Sequence, residues 1–195
     1  MPKIKICNRC VMDETVPDIY FDENGVCNLC TAALKKISNE VFKGSEGKIK
    51  LNNLVNQIRS STQKKYNCII GVSGGVDSSY VAYLTKSLGL NPLAVHLDNG
   101  WNTDTSVKNI KKILDKLDID LYTHVIDWEE FRELQLSFLK SSIANAEIPT
   151  DQAITAILYK LASKFGIKYI INGGNVNSES ICLLYTSDAA DDMAS

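Results

Sequence analysis

The sequence predicts an α/β protein: a doubly wound parallel sheet preceded by a small four-cysteine zinc knuckle. Three observations carry that expectation. Short apolar runs suited to buried strands alternate with apolar stripes at helical spacing across residues 51–171. A glycine- and serine-rich string stands directly between the first of those strands and its helix, and two Cys-x2-Cys pairs precede the whole alternation.

Taken in order, Cys7-x2-Cys10, sixteen intervening residues and Cys27-x2-Cys30 fit the four-thiolate zinc pattern. Each Cys-x2-Cys turn aims two sulfurs at one ion, and the segment between folds back as a hairpin. Met12 to Val26 holds too few apolar residues to fold without such a staple, and bound structural zinc contributes roughly 10–16 kcal/mol in small peptides. Four thiolates leave no open coordination position, so the ion is expected to be structural. Cys7, Cys10, Cys27 and Cys30 are the expected ligands; Cys68 and Cys182 are left out.

Leu29, Ala33, Leu34, Ile37 and Val41 share a helical face in Leu29 to Phe42, after which Lys43 to Gly47 reads as a linker. Leu51, Leu54, Val55 and Ile58 make the next helical stripe. Cys68 to Val72 is a continuous apolar run suited to a strand buried on both faces. Helix Ser78 to Leu88 stops at Gly89, strand Leu93 to Leu97 follows, then helix Thr105 to Leu117 and strand Leu121 to Ile126. Asp127 with Glu130 caps a helix from Trp128 to Ala144, because the Asp oxygen accepts an orphan amide. Pro149-Thr150-Asp151 opens a last helix to Phe165, Gly166 ends it, and strand Ile167 to Ile171 runs into Asn172-Gly173-Gly174.

Composition excludes several classes. The chain has 195 residues, 45% of them apolar, with 21 basic against 23 acidic groups and 8% aromatic residues. That balance, with no basic cluster longer than Lys64-Lys65 or Lys111-Lys112, argues against a dedicated nucleic-acid surface. No stretch approaches the roughly 18 apolar residues of a membrane span, and the start Met-Pro-Lys-Ile-Lys lacks a signal-peptide core, so a cytoplasmic location is expected. His96 and His124 are the only histidines, both on or beside strands and read as structural. No Ser-His-Asp or Cys-His catalytic arrangement is supported.

The chemistry rests on Ser73-Gly74-Gly75-Val76-Asp77-Ser78-Ser79. Gly74 and Gly75 let backbone amides approach an oxyanion, the hydroxyls of Ser73, Ser78 and Ser79 add donors, and the following helix N-terminus adds partial positive charge. This is a phosphate cradle. A Walker A loop needs a Lys after its last Gly to reach the β and γ phosphates, and Val, Asp and Ser stand there instead. Cleavage at the α phosphate follows more naturally than γ transfer.

The string SGGVDSS resembles the PP-loop of the ATP pyrophosphatase superfamily, whose members form AMP and pyrophosphate by adenylating an oxygen. Within it, Cys7 to Ser180 resembles the N-acetyl sugar amidotransferases of lipopolysaccharide O-antigen and nonulosonate (pseudaminic- and legionaminic-acid-type) biosynthesis. Residues 7–13 (CNRCVMD), 21–30 (FDENGVCNLC), 98–102 (DNGWN), 149–154 (PTDQAI) and 173–175 (GGN) carry that likeness.

The linker reading at Lys43 to Gly47 divides the chain into domains at 1–45 (knuckle and helix) and 46–181 (ATP-binding). The resemblance implies a reaction using ATP and Mg²⁺ on a nucleotide-activated sugar, with ammonia from a separate glutaminase. It places Asp77 and Ser78 in the catalytic role, Ser73, Gly74, Gly75, Ser79, Asp98, Gly173 and Gly174 around the nucleotide, and Asn99, Trp101, Thr150 and Asp151 near the acceptor. Asp77 would orient the loop or hold Mg²⁺, which prefers carboxylate and phosphate oxygens. Asp98, Asn99 and Trp101 also suit a simple turn with a capping Asp and a packing Trp, Gly173-Gly174 a strand-ending turn, and Thr150 and Asp151 a helix N-cap.

A different class also pairs such a loop with Cys-x2-Cys knuckles, the tRNA thiolases, which need further cysteines as sulfur carriers. Only Cys68 and Cys182 are candidates. A third reading is a nucleotide-binding fragment without activity. Residues 182–191 (CLLYTSDAAD) match, one by one, a reading frame of a transposase-end sequencing adapter, so 182–195 is expected to be a non-native tail on a truncated domain.

Overall fold

The computed structural model describes residues 4–62, 64–143 and 145–174. The tail expected from Cys182 onward lies outside them. Two compact units divide the described chain, the first running to Lys50 and the second from Leu51 to Gly173.

In the first unit two antiparallel bridges, Ile6 with Asp13 and Phe21 with Cys27, close the two Cys-x2-Cys turns. Asp22 shapes the second turn: its Oδ1 accepts from the amides of Asn24 and Val26 at 2.9 and 2.8 Å. Helix α1 (Asn28–Glu40) starts from Cys27, whose sulfur accepts from the Cys30 amide and so serves as the N-cap. Cys7, Cys27, Cys30 and Ala33 are buried here, with Ile19, Phe21, Val26 and Leu29 packed around the cysteines.

Helix α2 (Gly44–Ser60) corrects one expectation: Lys43 to Gly47 is the entry to this helix rather than a linker. Gly44 takes φ +62°, which reverses the chain. Glu46 then pairs with Lys50 at 3.5 Å, one helical turn on, and Lys50 lies over the Phe42 ring. A glycine costs a helix about 1 kcal/mol relative to Ala, which such contacts offset.

The second unit is the sheet. Strands β1 (Cys68–Gly71), β2 (Pro92–Asp98), β3 (Leu121–Val125) and β4 (Ile170–Ile171) lie in the order β3-β2-β1-β4, every pair parallel. Helix α3 (Val76–Ser87) connects β1 to β2, α4 (Asp104–Leu117) connects β2 to β3, and α5 (Trp128–Lys140) with α6 (Ile148–Phe165) leads to β4.

Alternation along β1 sets the two layers. Ile69 packs with Leu93, Val95, Leu97 and the α6 residues Ile157, Leu161 and Ala162. Its neighbour Ile70 points the other way, to Ala94, Val81 and Ala82 of α3 and Ile110 and Leu114 of α4. Both isoleucines are fully buried, each contributing roughly 2–3 kcal/mol of apolar burial. Helices on both faces of a parallel sheet are the doubly wound architecture the alternation predicts. Edge strand β3 instead alternates exposed and half-buried residues.

Two further element ends differ from expectation by three residues or more, the others by one or two. Helix α5 stops at Lys140 rather than Ala144, with Ser142 at φ +54° turning the chain. The fourth strand shrinks to Ile170–Ile171 because the Ile167 amide still bonds back to the Ala162 carbonyl, at 2.8 Å, as part of the Gly166 cap of α6. Among the described residues no helix is long and apolar enough to cross a membrane.

Candidate functional site

The loop leaving β1 is held from both sides. Gly74 takes φ +79°, and a Cβ there would stand 2.5 Å from the Ser106 carbonyl oxygen in the first turn of α4. The Asn109 side chain donates to the Gly74 carbonyl at 3.4 Å. Ser78 Oγ accepts from the Ser73 amide, lies 3.2 Å from Ser73 Oγ and donates to the Gly75 carbonyl. Ser79 Oγ donates to the same carbonyl at 2.6 Å. Helix α3 begins at Gly75 with no side-chain acceptor on its first amides. An uncapped N-terminus beside the exposed Ser73 and half-buried Ser78 and Ser79 hydroxyls has the chemistry to receive an anion. Asp77, in that first turn, is exposed and next to Gly173, whose Cβ position is 3.4 Å from Asp77 Cβ. The strand-ending glycine therefore does reach the loop, while Gly174 is exposed. Carboxylate and hydroxyl oxygens from Asp77, Ser73 and Ser78 are the donor type Mg²⁺ selects.

Beside the loop, at the carboxyl ends of β1 and β2, lies a cavity of about 240 Å³. Gly71, Val72 and Ser73 form one wall, Val95 to Leu97 another, and Ser78, Asn99, Asn102, Thr150 and Ile154 complete it. Its place is the one parallel sheets reserve for ligands. Thr150 is 8% exposed, and its Oγ1 has no hydrogen-bond partner among the described residues. A buried hydroxyl left so costs roughly 1–3 kcal/mol, which a ligand acceptor or donor would relieve. The capping role expected for Thr150 and Asp151 is not what the helix shows: Glu147 is the N-cap of α6 and accepts from the Asp151 amide through its carbonyl at 3.0 Å, so Thr150 falls inside the first turn.

Asp98 is not among the cavity walls. Its Oδ1 accepts from the Gly100 amide at 3.1 Å and from Asn102 Nδ2 at 2.9 Å, and so closes the turn after β2. Asn99 and Trp101 do reach a cavity, a second one of about 480 Å³ against α5. His96 is buried and its Nδ1 donates to the Val72 carbonyl at 3.0 Å, tying β2 to β1, while the ring also faces the first cavity. Sequence reasoning missed Ser106 and Asn109 as the loop's support, since both sit in the first turns of an otherwise ordinary helix, and Asn102 as a wall, since it lies in the turn just before the Thr103 N-cap of that helix.

The four knuckle sulfurs lie within 4.8 Å of one another. Cys10 to Cys27 is 3.8 Å and Cys7 to Cys30 is 4.0 Å. Those separations suit a shared ion: a tetrahedral site with metal–sulfur bonds of about 2.3 Å has edges of about 3.8 Å. They exclude disulfides, whose sulfurs stand about 2.05 Å apart. Burial opposes ionisation of Cys7, but amides of Arg9 and Cys27 donating to its sulfur bring its pKa down to about 6. Burial pushes Cys10 up to about 12. The cluster could hold a metal ion and is compatible with a zinc knuckle.

A parallel sheet bearing this loop before an uncapped helix defines the PP-loop, ATP-pyrophosphatase type of α/β nucleotide domain. The sequence model of the NAD synthase family matches residues 49–192, and the chain belongs to that family. The chain is 28% identical over 175 residues to protein MJ1599 of Methanocaldococcus jannaschii, itself uncharacterized, covering 86% of this chain and 58% of that protein. It is 28% identical over 112 residues to the tRNA-specific 2-thiouridylase MnmA 2 of Fusobacterium nucleatum, covering 54% of this chain and 32% of the thiouridylase. The chain thus spans less than two thirds of the length of either relative. Among solved structures, the glutamine-dependent NAD+ synthetase of Acinetobacter baumannii in complex with ADP superposes with a TM-score of 0.52 at 20% identity, over 75% of this chain and 30% of that one. That likeness is one of fold.

Proposed function

We propose that the protein is an ATP-dependent, AMP-forming amidotransferase that converts a sugar N-acetyl group to an acetamidino group, serving lipopolysaccharide or nonulosonate-type glycan synthesis. One observation carries the reading. The stretches through which the sequence resembles N-acetyl sugar amidotransferases, at 98–102 and 149–154, come together on one cavity, where Asn99, Asn102, Thr150 and Ile154 join Ser73 and Ser78.

The chemistry balances as two displacements. The acetamido oxygen attacks the α phosphorus of ATP, the bond to the β-phosphate oxygen breaks, and pyrophosphate leaves. Ammonia then adds to the activated carbon and AMP departs with that oxygen, leaving the amidine after loss of a proton. An amide oxygen is a poor leaving group, and its adenylation corrects that.

The amides at Gly74 and Gly75, with the hydroxyls of Ser73, Ser78 and Ser79, take up the charge on departing pyrophosphate. Asp77 and Ser78 orient that loop; Asp77 is the carboxylate that would help hold Mg²⁺, which would supply charge neutralisation. Thr150 Oγ1 meets the nucleotide or acceptor inside the cavity. Zinc in the knuckle is structural, and a separate glutaminase is the expected ammonia source.

The likeness to thiouridylases favours a second reading, tRNA thiolation. It fares worse on cysteine chemistry: Cys68 is fully buried in β1 and burial pushes its thiol up to about 12, the opposite of a sulfur carrier. The test supplies ATP, Mg²⁺ and ammonium with a panel of nucleotide-activated N-acetyl sugars, read by mass spectrometry for AMP and for exchange of amide oxygen for nitrogen. AMP with an amidino sugar is the expected result. AMP formed only with tRNA and a sulfur donor assigns thiolation, and nucleotide binding with no AMP assigns an inactive binding fragment.

A further inference from the structure

The second cavity, of about 480 Å³, shares Asn99 with the first. Its walls are Trp101 from the turn after β2, Arg132, Gln135, Leu136 and Leu139 of α5, and Ala146 and Glu147 before α6. Asn99 also lines the nucleotide cavity, so the two spaces adjoin at this side chain.

Trp101 has an unusual setting for an exposed aromatic. It is 64% exposed, yet it is held in place: its Nε1 donates to Gln135 Oε1 at 2.8 Å, and its ring meets Trp128 edge-on at 5.5 Å. Gly100, at φ +81°, lets the chain pass directly over Trp128, where a Cβ would be 2.8 Å from the ring. The turn thus presents a rigid aromatic face to solvent, a geometry that serves a flat or ring-shaped ligand better than it serves the core. Among the described residues Arg132 makes one bond, to Glu133 Oε1 at 2.8 Å, and a guanidinium carries five donors, so four have no partner there. Its fork suits phosphate oxygens. Asn99 Oδ1 accepts from the Trp101 amide, leaving its Nδ2 donors without a partner among the described residues, and the Glu147 carboxylate is exposed.

Resting on the amidotransferase reading, we infer that this cavity is the acceptor site and takes a phosphate-linked N-acetyl hexose: Trp101 stacks on the pyranose ring, Arg132 grips the phosphate, Glu147 takes ring hydroxyls, and the acetamido arm passes Asn99 toward the α phosphate.

The test is calorimetry on the whole protein, with UDP-N-acetylglucosamine as probe, and UDP and N-acetylglucosamine as separate arms. Trp101→Ala and Arg132→Gln are expected to weaken UDP-N-acetylglucosamine at least tenfold while Mg·ATP affinity stays within twofold. Arg132→Gln also weakens UDP alone, whereas Trp101→Ala does not. Tryptophan emission quenched by the probe in the wild type should lose that quenching in Trp101→Phe. A wild type that binds none of the probes overturns the inference, as does either variant binding the probe normally or losing Mg·ATP equally. Turnover of a sugar to an amidine with KM unchanged in both variants removes the pocket and leaves the reaction; probe binding that depends on both residues, with no AMP formed from any sugar, leaves the pocket and removes the reaction.

Discussion

Gly74 and Ser106 meet backbone to backbone although 32 positions separate them in the chain: a Cβ on the glycine would stand 2.5 Å from the Ser106 carbonyl oxygen and 2.9 Å from its carbon. The phosphate loop is therefore seated on α4, an element two connections further along the chain. Gly74→Ala combines that clash with a left-handed backbone, a cost of about 1–3 kcal/mol. The expected outcome is a displaced loop, with Mg·ATP affinity down at least tenfold by calorimetry and a lower Tm.

Within the same loop, Asp77→Ala or Ser78→Ala should abolish AMP formation while leaving the zinc content unchanged. Neither residue is buried in the core, so circular dichroism melts should stay close to wild type. Normal turnover in both variants would defeat the pyrophosphatase assignment.

Thr150→Val separates binding from stability. Removing a buried hydroxyl that has no partner among the described residues leaves the fold as stable or up to about 1 kcal/mol more so, because the desolvation penalty disappears. Nucleotide or acceptor affinity should fall about tenfold. Paired melts and titrations check both, and a destabilised variant with intact binding would mark Thr150 as a packing residue.

Cys27→Ser removes a sulfur that is fully buried and also caps α1. Zinc content per chain, measured by atomic emission, should drop to near zero and solubility should fall. Chelation of the wild type should reproduce the effect, since metal binding and local folding are coupled in small thiolate sites.

Asp120 gives the pH dependence a sign. Its Oδ2 accepts from Lys65 Nζ at 2.6 Å and from the Tyr66 hydroxyl at 2.7 Å, and these bonds hold its carboxyl below the usual range. A depressed carboxylate stabilises above its unfolded pKa, and that contribution is lost as pH falls through the folded one. Asp120→Asn should lower Tm slightly at pH 7, the exposed pair being weak, and the gap to wild type should close below about pH 3.9. A gap that is constant with pH would show packing rather than charge at work.

The expectations that held rest on local rules. The Cys-x2-Cys spacing, the buried run Cys68 to Val72, the caps at Asp127 and Gly166 and the strand–loop–helix around Ser73 to Ser79 each depend on residues close in sequence, and each appears where it was expected. The failures sit at element ends, where glycine content and tertiary contacts compete. Lys43 to Gly47 looked like a linker until Lys50 met Phe42, and Ile167 was drawn from the strand into a helix cap.

Residue types and spacing alone determined the sheet class, the phosphate loop and the thiolate cluster, because short-range backbone geometry and hydrophobic periodicity dictate them. Only the tertiary structure decided that Asn99 lines two cavities, that Thr150 is buried with no hydrogen-bond partner among the described residues, and that Ser106 props the loop. Those relationships join segments dozens of residues apart, and their distances exist only once both faces of the sheet are packed.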